Sequence, residues 1–112
     1  MTEEGRKYLS DIILAIERIE QFVEGISDFY SYDKDLKTQS AVERQLVIIG
    51  EALGQLKKVE SNLQVKNDQK IRGFRNRLVH GYDKIDNSIV WAILQKHLPQ
   101  LKAEIKNIKT GR

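Results

Sequence analysis

Apolar residues recur at three- and four-residue spacing along most of the chain, and the period-two alternation of a half-buried strand is sustained nowhere. The first stripe, Leu9, Ile12, Ile13, Ile16, Ile19 and Val23, predicts a helix from about Glu3 to Glu24. The pattern then lapses. Ile26 to Lys37, with Ser27, Asp28, Tyr30, Ser31, Asp33 and Asp35, reads as a polar loop, and Asp35 or Thr38 is placed to cap the next helix. That second helix is predicted from about Thr38 to Val59, with a core stripe of Val42, Leu46, Ile49, Leu53 and Leu56. Ala41, Ile48, Ala52 and Val59 form another stripe beside it, and an arc this wide exceeds what one neighbouring helix covers. The surplus is expected to meet a second copy or a partner.

Ser61 to Asn67 reads as a connector, after which Asn67 or Asp68 can cap a shorter helix reaching about Val79, anchored by Ile71, Phe74 and Leu78. Gly81 stands where a left-handed, helix-ending residue is expected, which puts His80 at the end of that helix. Beyond a turn at Asp83 to Asn87, Asp86 or Ser88 caps a last helix carrying Val90, Ile93, Leu94, Leu101, Ile105 and Ile108. Pro99 is expected to kink or split it. The economical assembly is all-α: a four- to five-helix antiparallel bundle, with residues 1–112 forming a single domain.

Composition narrows the function. Hydrophobic residues make up 40% and charged ones 31%, a mixture that folds. The longest apolar runs, Ile12 to Ile16 and Leu46 to Ile49, are too short to span a bilayer, and Glu3 and Glu4 near the start do not suit a signal peptide. A soluble cytoplasmic protein with no membrane partner is therefore expected. With no cysteine and two histidines, disulfides and zinc chemistry are close to excluded. The net charge of +3 hides an asymmetry: residues 1–60 hold 8 Lys/Arg against 12 Asp/Glu, residues 66–84 hold 6 against 2, and residues 85–112 hold 5 against 2. An acidic first half and a basic second half suit a polyanion or an acidic partner, or are simply a solvated surface.

The basic region contains Ile71-Arg72-Gly73-Phe74-Arg75-Asn76-Arg77-Leu78-Val79-His80-Gly81-Tyr82. Taken as a site, its parts suit RNA cleavage without a metal or any other cofactor. A histidine near neutral pKa can take the proton of a ribose 2′-hydroxyl or protonate a leaving oxygen, while a permanently charged arginine clamps the phosphate. Arg75 and His80 are those candidates, with Asn76 in support and Lys70, Arg72, Arg77 and Lys84 drawing in the RNA backbone. The two carboxylates between residues 66 and 84 are few for a two-metal mechanism. Residues five apart on a helix point about 140° apart, so Arg75 and His80 converge only if the helix ends at His80 or across an interface.

Plainer readings stand beside these. Arg75 can serve a surface ion pair, His80 can complement the helix dipole, and Tyr82 can pack on Phe74 or Leu78. His97 reads as a hydrogen-bonded core residue, and Trp91 and Phe22 read as packing residues. Glu51 is expected in solvent, or facing the basic cleft of a dimer.

The segments Ala41-Val42-Glu43-Arg44, Ile49-Gly50-Glu51-Ala52-Leu53, Ile71 to Tyr82, Val90-Trp91 and Leu98-Pro99 together resemble the HepT-like branch of the HEPN superfamily. The resemblance implies a small helical ribonuclease toxin, encoded beside an MNT-type nucleotidyltransferase antitoxin. It implies that Arg75 and His80 are catalytic, that Tyr82 receives AMP from the antitoxin, and that two motifs face one cleft in a homodimer. A chain of 112 residues has little room for a deep pocket, which fits a site between copies. The rival reading is a non-catalytic nucleotide-binding or interaction subunit of a minimal nucleotidyltransferase complex.

Overall fold

The computed structural model describes residues 1–81 and 85–111, and Tyr82 and Lys84 lie outside them. Among the described residues six α-helices follow one another: α1 (Glu3–Phe22), α2 (Phe29–Lys34), α3 (Leu36–Val59), α4 (Asp68–His80), α5 (Asn87–Ala92) and α6 (Leu98–Lys109), with a π turn at Ile93–His97 between the last two. No strand occurs among the described residues, and the fold is an all-α bundle. None of the described helices is long and apolar enough to cross a membrane.

The α3 helix lies at the centre. On one side it runs antiparallel to α1, and the Thr2 N–H and hydroxyl both donate to Glu60 Oε2, at 2.9 and 2.8 Å, tying the start of α1 to the end of α3. Leu9, Ile12, Ile16 and Ile19 from α1 are buried against Val42, Leu46, Ile49, Leu53 and Leu56 from α3. Each such side chain contributes about 1.5–3 kcal/mol relative to its exposed state. The α6 helix covers α1 from outside, with Lys102 donating to Glu20 Oε1 at 2.9 Å and Lys109 to Ser10 at 3.1 Å. On its other flank α3 supports α4, which buries Ile71 and Phe74.

Several local expectations change. The polar stretch before α3 is not a loop throughout: Asp28 accepts from the Ser31 N–H at 2.8 Å and starts α2, which buries Tyr32 against Trp91, ring centroids 5.6 Å apart. The Tyr32 hydroxyl has no partner among the described residues, and burial pushes its pKa up. Asp35 caps α3, accepting from the Thr38 N–H at 3.0 Å, so that helix begins earlier than Thr38. Phe22 ends α1 exposed and is no core residue. Of the second stripe on α3, Ala52 is buried while Ala41, Ile48 and Val59 stay half-covered.

Gly81 ends α4 as expected but is not left-handed; its φ of −74° and ψ of 138° are extended. What it needs is proximity, since its N–H donates to the Arg77 carbonyl at 2.8 Å and a Cβ there would collide with that oxygen. Asp86 rather than Ser88 caps α5, accepting from the Ser88 N–H at 2.9 Å. Pro99 splits the final helix, and the means is the π turn before it. The Leu98 N–H bonds to the Ile93 carbonyl, five residues back, immediately before a proline that has no N–H to donate.

Candidate functional site

The Arg75 side chain rests on a gap in α3. A Cβ built at Gly50 would collide with the Cβ and Cγ of Arg75, and one built at Gly54, one turn on, would lie 3.8 Å from the Arg72 side chain. Glycine inside a helix costs roughly 1 kcal/mol relative to alanine. Here it lets α4 approach closely enough to lay Arg75 across α3. The Arg75 Nη1 donates to Asn76 Oδ1 at 2.9 Å, while its Nε is buried and has no partner among the described residues.

Arg75 and Asn76 open into a shallow groove of about 530 Å³. Tyr8 and Asp11 of α1 form one wall, Arg72, Arg75 and Asn76 of α4 the other, and α3 the floor. Glu51 is exposed on that floor. Of its sequence alternatives, exposure to solvent is the one found in the single chain.

The remaining candidates are dispersed. Arg72 reaches the groove already held by Asp68, with Nε to Oδ1 and Nη2 to Oδ2 both at 2.8 Å. A guanidinium engaged in two charge-assisted bonds is less available to phosphate than sequence alone suggests. Lys70 and Arg77 are exposed along α4, and Arg77 is near enough to Asp86 to help lower its pKa, after the larger effects of Ser88 and Ile89. His80 is the exposed last residue of α4 and does not line the groove. Within one chain, Arg75 and His80 are therefore not brought to a common pocket. Tyr82 and Lys84 fall outside the described residues.

His97 occupies another place entirely. Its Nδ1 lies 3.0 Å from the Asn67 amide oxygen, and the Asn67 amide nitrogen lies 3.4 Å from Gln100 Oε1. Asn67 thus stands at the N-cap position of α4 without making a side-chain cap. Burial, then the charges of Lys70 and Lys96, lower the His97 pKa. The backbone N–H of Lys66 donates to Glu104 at 2.8 Å, so two contacts fasten the start of α4 to the π turn and to α6. No three His, Cys, Asp or Glu side chains among the described residues group to hold a metal ion.

Sequence reasoning assigned no site role to Gly50, Tyr8, Arg44 or Lys58, which seat Arg75 or line its groove. The available signal was the pair Gly50 and Gly54, four residues apart within a run of helix formers.

Comparison with known proteins identifies the family. A family model described as "Ribonuclease HepT-like" matches residues 12–108. The chain is 33% identical to a protein named "Probable ribonuclease HepT" from Thermococcus cleftensis, over 97% of this chain and 99% of the relative. A protein with a provisional RNase name from Caldanaerobacter subterraneus subsp. tengcongensis is 36% identical over 92% of each chain. Another so named, from Methanocaldococcus jannaschii, is 34% identical over 92% of this chain and 85% of its own. No solved structure matches the chain. The chain belongs to the HepT-like ribonuclease family.

Proposed function

We propose that this protein is an endoribonuclease that cleaves without a metal, as the toxin of a toxin–antitoxin pair. The observation that carries the reading is the seating of Arg75: its guanidinium is bonded to Asn76 in an open groove, on a helix whose last residue is His80. Arg75 holds the scissile phosphate and stabilises its added negative charge. His80 transfers the proton. The ribose 2′-oxygen loses its proton to the imidazole and attacks the adjacent phosphorus, the bond to the 5′-oxygen breaks, and that oxygen is protonated as it leaves. The products are a cyclic phosphate and a 5′-hydroxyl.

Because Arg75 and His80 point about 140° apart on one helix, the reading includes a homodimer whose second copy completes the site. It also includes a nucleotidyltransferase partner that places AMP on Tyr82, adding a bulky anion two residues past His80 that repels RNA.

Incubating the purified protein with RNA and a chelator tests the chemistry. Arg75→Ala and His80→Ala are each expected to lower cleavage by about 10²-fold or more; equal cleavage by all three proteins overturns the nuclease. For the modification, Tyr82→Phe should remain toxic when the nucleotidyltransferase is co-expressed, and full neutralisation would remove Tyr82 from the switch.

A further inference from the structure

The groove beside Arg75 carries more cationic side chains than a single phosphate clamp requires. Along α3, Arg44, Ile48, Glu51, Gln55 and Lys58 succeed one another every three or four residues and form one strip on its floor. Arg44 and Lys58 end the strip about 21 Å apart, at the usual helical rise. Neither makes an ion pair among the described residues. Other charges in the groove are offset by neighbours: Asp11 by Lys7 at 3.0 Å, and Arg72 by Asp68 at 2.8 Å. What remains is Arg44, Lys58 and Arg75 against Glu51.

Tyr8 supplies a second kind of contact. Its half-buried ring stands on the α1 wall, with the Lys7 ammonium 5.2 Å from its centroid. A cationic groove that also presents an aromatic ring suits a strand whose bases are unpaired and able to stack. A duplex keeps its bases stacked within itself and offers the ring nothing. Strip against strip, two copies do not pair directly. Aligned parallel or antiparallel about Glu51, two such strips oppose cation to cation at both ends and Glu51 to Glu51 in the middle, which is repulsive without an anion between them.

We infer that the groove holds a short single-stranded segment of RNA, with phosphates gripped at its two ends by Arg44 and Lys58 and a base stacked on Tyr8. This rests on the nuclease reading for the identity of the polyanion and extends it to residues outside the Arg75–His80 segment.

Fluorescence anisotropy with a labelled single strand of about eight nucleotides tests it, in a His80→Ala background so that the RNA stays intact. Arg44→Ala and Lys58→Ala should each weaken binding several-fold and flatten the dependence of log K on log salt by about 0.7. Tyr8→Leu should weaken single-strand binding roughly tenfold and leave duplex binding unchanged. Lys106→Ala, on the exposed side of α6, should change nothing. Parent-like affinity and salt slope in both Arg44→Ala and Lys58→Ala overturn the assignment. If these shifts occur but the parent chain cleaves no RNA, the groove assignment holds and the nuclease reading falls.

Discussion

The α3 and α4 helices lie side by side, yet they are built for different tasks. Over 24 residues α3 buries nine, among them Val42, Leu46, Ile49, Leu53 and Leu56, and it touches both α1 and α4. Over 13 residues α4 buries only Ile71 and Phe74, while Arg75, Asn76, Arg77 and His80 remain at least partly exposed. One helix is specified by packing, the other by what it displays. Stability and chemistry should therefore be separable by substitution, except at the glycine where the two helices meet.

His80→Ala offers the widest separation: cleavage should fall by about 10²–10⁴-fold with the thermal midpoint unchanged, because the side chain is exposed at a helix end. A drop in midpoint comparable to that of a core variant would break the contrast. Leu46→Ala should do the reverse, costing about 2–5 kcal/mol in chemical denaturation while the remaining folded protein cleaves at the parent rate. Gly50→Ala should blur the division. Its added methyl strikes Arg75, so overpacking of about 1–3 kcal/mol outweighs the gain in helix propensity, and cleavage and stability fall together.

The smallest effect concerns His97, whose pKa is held below its ordinary value by burial and then by Lys70 and Lys96. The unfolded chain takes up that proton first as pH falls. Stability is thus fully present above about pH 6.5 and declines as pH drops through the lowered value. His97→Gln should flatten this part of the stability–pH curve; a curve identical to the parent's would show that the group contributes nothing there.

Much of the scaffold was legible because α1 and α3 carry long apolar stripes whose period is unambiguous. The α2 helix was not, since its sequence is polar apart from Phe29, Tyr30 and the one buried tyrosine, and Tyr32 finds its neighbour Trp91 far along the chain. The π turn escaped for a related reason: Pro99 announces a break but does not say which backbone bond absorbs it. At the candidate site, Arg75 and His80 could be picked out as candidates in a basic segment, and the fold seats Arg75 but not His80 in the groove. The groove could not, because Tyr8, Arg44 and Lys58 belong to an otherwise acidic half and reach Arg75 only through tertiary packing. Charge counted along the sequence placed the cations on α4, whereas the fold adds two from α3 and commits Arg72 to Asp68.

The attachment of α4 at its start has a mechanical meaning. Asn67 with His97, and Lys66 with Glu104, clamp one end of the helix to the C-terminal segment, while the end that carries His80 stands about 18 Å away along its axis. Between the two ends Ile71 and Phe74 are buried and Arg75 lies across α3, so the clamp helps set the angle at which α4 rests there, and each change of about 5° in that angle moves the helix end by roughly 1.6 Å. Displacements near 1 Å can cost on the order of 10²-fold in rate. In the proposed reaction, loosening the clamp by Asn67→Ala should therefore detune proton transfer by His80 without touching RNA.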